Sequence, residues 1–146
     1  VKNYKDIRHT IKHGDVFFTA SNSLFSRIIR LVRRATVSHT GVFYVIKDRM
    51  FVIEALEGKD CRMMLASERF EGVPLIVKRG GKFKIEPLQF VGKMKYNFWG
   101  AILSPFIRLK GDEKFCSTFV ALVLGIKLKH LKHDITPDDL LTYCSK

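Results

Sequence analysis

Two apolar runs, His39 to Ile46 and Met50 to Leu56, are rich in Val, Ile, Phe and Tyr and are separated only by the polar Lys47-Asp48-Arg49. Branched and aromatic side chains favour extended backbone, and so short a polar break between two such runs reads as an antiparallel β-hairpin. The remaining elements arrange themselves around that hairpin. His13-Gly14-Asp15 is a turn signal before the strand Val16-Phe17-Phe18-Thr19, and Pro74 to Val77 is a further short strand that Gly80-Gly81 ends.

Helical signals flank these strands. Leu24, Ile28, Leu31 and Val32 follow i, i+4, i+7, i+8 spacing behind a cap at Ser21 or Ser23, and Arg27, Arg30, Arg33 and Arg34 fall largely on the other side. Pro87 suits the first turn of a helix running toward Tyr96, because proline is tolerated where the amide is unpaired anyway. Asn97 to Lys114 is irregular and holds Gly100, Pro105 and Gly111. Cys116 to Leu124 has the length and apolar density of a buried helix, and Thr136-Pro137-Asp138-Asp139 is a strong start for a helix over Leu140 to Cys144. Helices with a small antiparallel sheet make the expected class α+β.

With 146 residues, 47% of them hydrophobic, and no repeat, linker or low-complexity stretch, the chain is expected to form a single domain over 1–146. Three cysteines at irregular spacing, Cys61, Cys116 and Cys144, form neither a disulfide framework nor a metal signature, so reduced thiols and no metal or cofactor are expected. No basic-then-apolar segment opens the chain, and its apolar stretches fall short of the ~20 residues of a membrane span. The expectation is a soluble, cytoplasmic protein, although Val1 is not a start methionine and trimming of an upstream segment stays open.

Two segments carry the means for thiol chemistry. The thiolate, not the thiol, is the nucleophile, and a free cysteine near pKa ~8.5 needs a device that favours the anion. Cys116 opens an apolar helix, whose unpaired amides and dipole are such a device, and the backbone N–H of Cys116 is the first candidate donor to an oxyanion. His39 sits at the edge of a strand, followed by Thr40 and Gly41. A cysteine on an apolar helix is ordinarily core filler, which is the reading for Cys61 and Cys144. His9, His13, His130 and His133 stand in basic, polar surroundings that suggest solvent.

A base also needs a partner that fixes its tautomer. The hairpin offers Glu54 and Glu57, and register decides between them. If the numbers of opposed residues sum to an odd value, Glu54 shares the face of His39; if to an even value, Glu57 does. Glu54 is preferred because an acid inside the apolar Phe51-Val52-Ile53-Glu54-Ala55-Leu56 run is costly to bury without a purpose.

Taken in order, Gly14-Asp15 before apolar residues, Ser38-His39-Thr40-Gly41, Phe51-Val52-Ile53-Glu54-Ala55, Phe115-Cys116-Ser117 and Thr136-Pro137-Asp138-Asp139-Leu140 resemble the circularly permuted, YiiX-like branch of the NlpC-type papain-like thiol hydrolases. In that branch, as in lecithin:retinol acyltransferase-like proteins, the histidine strand precedes the cysteine helix. The resemblance spans roughly Gly14 to Leu140. It implies a permuted papain-like fold, a small antiparallel sheet or partial barrel packed against helices, with Cys116 at a helix N-terminus as nucleophile, His39 as base and Glu54 as third polar residue. Tyr96-Asn97-Phe98-Trp99-Gly100 is similar to the tyrosine-tryptophan-glycine segment ahead of the cysteine in NlpC-type enzymes, which implies that Tyr96 helps shape the oxyanion site.

The implied activity is a peptidase or amidase type of acyl transfer through a thioester, on a peptide or acyl-containing substrate. An alternative is a lipid acyl hydrolase or acyltransferase working at an anionic membrane surface, to which the basic amphipathic helix from Leu24 to Arg34 would bind. Twenty-six Lys and Arg against fourteen Asp and Glu give a net charge of +12, a field that favours anionic partners. A nucleic-acid-binding role is disfavoured, because the cations are spread along the chain and no zinc, helix-turn-helix or aromatic RNA-binding signature accompanies them. Neither the oligomeric state nor the scissile bond is legible.

Overall fold

The computed structural model describes residues 1–20, 36–56, 60–93, 114–126 and 135–145. In chain order these contain α1 (Tyr4–Ile7), a 3-10 turn (Arg8–Thr10), β1 (Val16–Thr19), β2 (His39–Ile46), β3 (Arg49–Ala55), β4 (Cys61–Leu65), α2 (Ala66–Arg69), β5 (Leu75–Lys78), a second 3-10 turn (Pro87–Phe90), α3 (Lys114–Leu124) and α4 (Pro137–Tyr143). The five strands form one antiparallel sheet in the order β4-β3-β2-β1-β5, and the class is α+β.

The hairpin is tighter than its polar break suggests. Arg49 belongs to β3 and opposes Ile46, so the loop is Lys47-Asp48 alone, with φ of 44° and 63°. Positive φ at both central residues is what a two-residue turn needs to match the twist of the strands. Val42 opposes Ile53 and Phe43 opposes Val52, so opposed numbers sum to 95. That is the odd case, and Glu54 shares the face of His39.

Both faces of the sheet are buried, which is why Val16, Phe17, Phe18 and Thr19 are all enclosed and β1 shows no apolar/polar alternation. One face, with Val16, Phe18, Val42, Ile53, Ala55 and Cys61, packs on Phe119, Val120 and Val123 of α3 and Leu140 of α4. The other, with Phe17, Phe43 and Val52, packs on Tyr4, Ala66 and Phe70. Phe17 meets Phe70 edge to face at 5.0 Å between centroids and Phe43 at 5.7 Å. Thr136 caps α4 through a reciprocal box with Asp139, and Ser117 Oγ donates to the Ile135 carbonyl at 2.7 Å, tying the two long helices together.

Two expectations change. The helix expected from Pro87 toward Tyr96 is a single 3-10 turn that stops at Phe90, where the amide of Gly92 turns back to the Cys61 carbonyl at 2.9 Å. The strand expected over Pro74 to Val77 runs from Leu75 to Lys78. His13 is exposed but not idle: Nδ1 accepts the Val45 N–H at 3.1 Å, and its ring lies 4.6 Å from Tyr44 and 5.0 Å from Phe83. The expected helix from Leu24 to Arg34 lies outside the described residues. Among the described residues, no helix is long and apolar enough to cross a membrane.

Gly41 holds the hairpin against β1. A Cβ there would come within 2.6 Å of the Phe17 ring and 2.7 Å of the Ile53 carbonyl oxygen. Gly41→Ala is expected to lower the unfolding free energy by about 1–3 kcal/mol, the usual cost of overpacking, as read from urea denaturation. A variant as stable as wild type would show that Phe17 yields its place without cost.

Candidate active site

His39 is the first residue of β2 and lies on the sheet face of Phe17 and Phe43, whereas α3 packs on the opposite face. The first turn of α3 nevertheless reaches the imidazole, because His39 stands at the strand end. Cys116, in that turn, is 4% exposed and hydrogen-bonded to His39. The first turn holds no acidic residue to offset the helix dipole.

Glu54 completes the group from β3. It has no exposed surface, and Oε2 lies 2.8 Å from His39 Nε2. An ionised carboxylate only accepts, so Nε2 carries the proton it donates to Glu54, and Nδ1 is the ring nitrogen left for the sulfur. The His39 ring also packs 6.1 Å from the Phe17 ring, and its side chain retains 16% exposure. A cysteine, an imidazole and an acid are thereby connected in the order needed for proton transfer from thiol to base, with the base oriented from behind.

Two further residues, unforeseen in the sequence, complete the cluster. Arg62 opposes Glu54 in the β3–β4 register and donates to Oε1 from Nε at 2.9 Å and from Nη2 at 2.6 Å. Arg69 of α2 donates from Nε to Oε1 at 2.9 Å and to Oε2 at 3.0 Å. The signal for Arg62 is cross-strand charge pairing, concealed because Cys61-Arg62-Met63-Met64-Leu65 lacks the β-branched residues that mark a strand. No local pattern marks Arg69.

The electrostatics follow from these contacts. Burial pulls the His39 pKa down, but the facing Cys116 charge and hydrogen bond, followed by those of Glu54, outweigh it and lift the group from the usual 6.5 to about 9. Burial pushes Glu54 up, and the bond and charge of His39, then Arg69 and Arg62, overcome that and bring it from 4.5 down to about 2. Cys61 behaves oppositely: burial and the nearby Glu54 charge push its thiol up to about 12, and burial also raises Cys144. None of the three cysteines is in a disulfide. Tyr96 and Glu57 lie outside the described residues. Among the described residues, no three His, Cys, Asp or Glu side chains are grouped to hold a metal ion.

These shifts fix the sign of the pH dependence of folding. Glu54 is depressed, so its stabilisation is present above 4.5 and lost as pH falls through about 2; His39 is raised, so its stabilisation is complete below 6.5 and lost as pH rises through about 9. Stability is expected to be greatest between about 4.5 and 6.5 and to decline on both sides. Urea midpoints measured across this range check it: His39→Gln should abolish the alkaline decline, and a decline that survives the substitution would assign it to another group.

Neither a family model nor a curated protein matches the chain, so what the site does must be argued from its geometry.

Proposed function

We propose that the chain is a cysteine-dependent hydrolase that cleaves an amide or related acyl bond through a thioester, with Cys116 as nucleophile, His39 as base and Glu54 orienting the base. The observation that carries this reading is the imidazole held between two partners, a fully buried carboxylate on Nε2 and the sulfur of a helix's first turn. A cysteine serving only to fill the core has no need of an imidazole that is itself anchored by a buried acid.

The order of histidine strand, acid strand and cysteine helix, on an antiparallel sheet with that helix against one face, supports a permuted papain-like fold. In the mechanism, His39 takes the Cys116 proton and the thiolate attacks the carbonyl carbon. The oxyanion that forms is stabilised by the backbone N–H of Cys116, in the first turn of the helix. His39 returns the proton to the departing amine or alcohol, leaving a thioester. Water, deprotonated by His39, then attacks the thioester, and the acid product leaves as the thiol is restored. Tyr96 is carried as a contributor to the oxyanion site from the family resemblance alone. The substrate class is a peptide or another acyl-bearing molecule.

A thiol reagent at mildly acidic pH should label Cys116 well before Cys61 and Cys144, whose thiols burial holds in the protonated form. Peptide mass spectrometry after timed alkylation reads the order directly. His39→Ala should slow Cys116 labelling by about 10²-fold or more, in keeping with the loss of a positioned base. Equal labelling of the three thiols, or a Cys116 rate indifferent to His39→Ala, would defeat the reading.

A further inference from the structure

A carboxylate that only orients a histidine does not need two cations. Oε1 of Glu54 accepts from Arg62 Nε, Arg62 Nη2 and Arg69 Nε, and Oε2 shares the last of these, so Arg62 is confined to Oε1 and Oε2 divides between His39 and Arg69. Arg69 is itself fixed, its guanidinium 5.4 Å from the Phe70 ring and 5.9 Å from the Phe17 ring, the ring that also flanks His39. The charges matter as much as the aim. With a thiolate at Cys116 and an imidazolium at His39, Glu54 alone would leave the cluster negative, and the two arginines reverse that sign.

We propose that Arg62 and Arg69 are positioning residues for the Cys116–His39 pair: they aim Glu54 Oε2 at His39 and supply the positive surplus that favours an anion on the Cys116 sulfur. The proposal rests on the reading of Cys116 as the nucleophile. Among the described residues the groups facing this centre are His39 from β2, Glu54 from β3, Arg62 from β4, Arg69 from α2 and Cys116 from α3, with Cys61 on the opposite face of β4. Cys61 adds no charge, because burial and Glu54 hold its thiol up at about 12. Removing a cation disfavours the thiolate and favours the imidazolium, so both limbs of a thiolate–imidazolium profile move to higher pH. Across roughly 10 Å of partly buried protein, one charge corresponds to a shift on the order of one pH unit.

The test is the pH profile of Cys116 alkylation by iodoacetamide, followed by peptide mass spectrometry, in the wild type and in Arg62→Gln, Arg69→Gln, Arg62→Lys and Arg69→Lys. Each Gln variant should move the midpoint upward on the order of one pH unit, and each Lys variant, which keeps the charge, should restore it even where the rate falls. A purely structural role lowers stability and amplitude without moving the midpoint; that result overturns the proposal and leaves the reading of Cys116 and His39 intact. Arg69→Gln strips a buried carboxylate of a donor, so if it does not fold, Arg62→Gln, at a side chain 45% exposed, decides the matter. Absence of preferential Cys116 alkylation in the wild type removes the reading beneath the proposal and the proposal with it.

Discussion

A carboxylate with no exposed surface is the most expensive group in this sheet to place, and the neighbourhood of Glu54 is organised around satisfying it. Desolvating such an ion costs several kcal/mol unless charged donors replace the water. Here they come from β2, β4 and α2 through His39, Arg62 and Arg69, so one side chain couples elements that the chain delivers separately. The same demand pins the register. A slip of one residue between β2 and β3 would turn Glu54 toward the apolar face that Ile53 and Ala55 now occupy, stranding its charge and exposing hydrophobic surface together.

That coupling explains what could and could not be read from the sequence. Glu54 was legible because an acid in an apolar run is anomalous at the level of the strand itself, whereas parity left Glu57 equally open until the register of β2 and β3 gave the odd case. The hairpin and the Thr136 capping box were equally local signals, and each formed where the residues indicate. Arg62 and Arg69 were not legible, since an arginine is unremarkable until its partner is known. The partner becomes known only when β4, a strand of Cys, Arg, Met and Leu without β-branched residues, is set beside β3. Pro87 misled for the opposite reason. It does begin a helical turn, but the backbone of Gly92 is taken by the Cys61 carbonyl, and a tertiary hydrogen bond ends what local propensity would extend.

The charge balance deserves the same distinction between count and placement. A net +12 suggests a diffuse positive surface, yet three of those cations are paired with buried acids. Arg62 and Arg69 are spent on Glu54, and Arg79 Nη1 bonds the buried Asp15 at 2.6 Å. Asp15 also accepts the Lys12 amide at 2.8 Å, closing the turn that leads into β1. These pairs decide where part of the charge sits but not its total: the net +12 already subtracts both buried acids, so the excess that favours anionic partners is unchanged by the pairing.

Cys61 and Cys116 show how position decides chemistry for identical side chains. Both are buried, and both are linked to Glu54, Cys61 by its charge and Cys116 through His39. Cys61, on β4, lies on the opposite face of the sheet yet still feels that negative charge, so burial and repulsion act in the same direction and push its thiol up to about 12. Cys116 meets it through His39, whose ring takes the carboxylate on one nitrogen and presents a proton acceptor, and then a cation, on the other. The carboxylate that opposes charge on one sulfur holds the imidazole that faces the other, and the difference is that a histidine stands between Glu54 and Cys116 whereas none stands between Glu54 and Cys61.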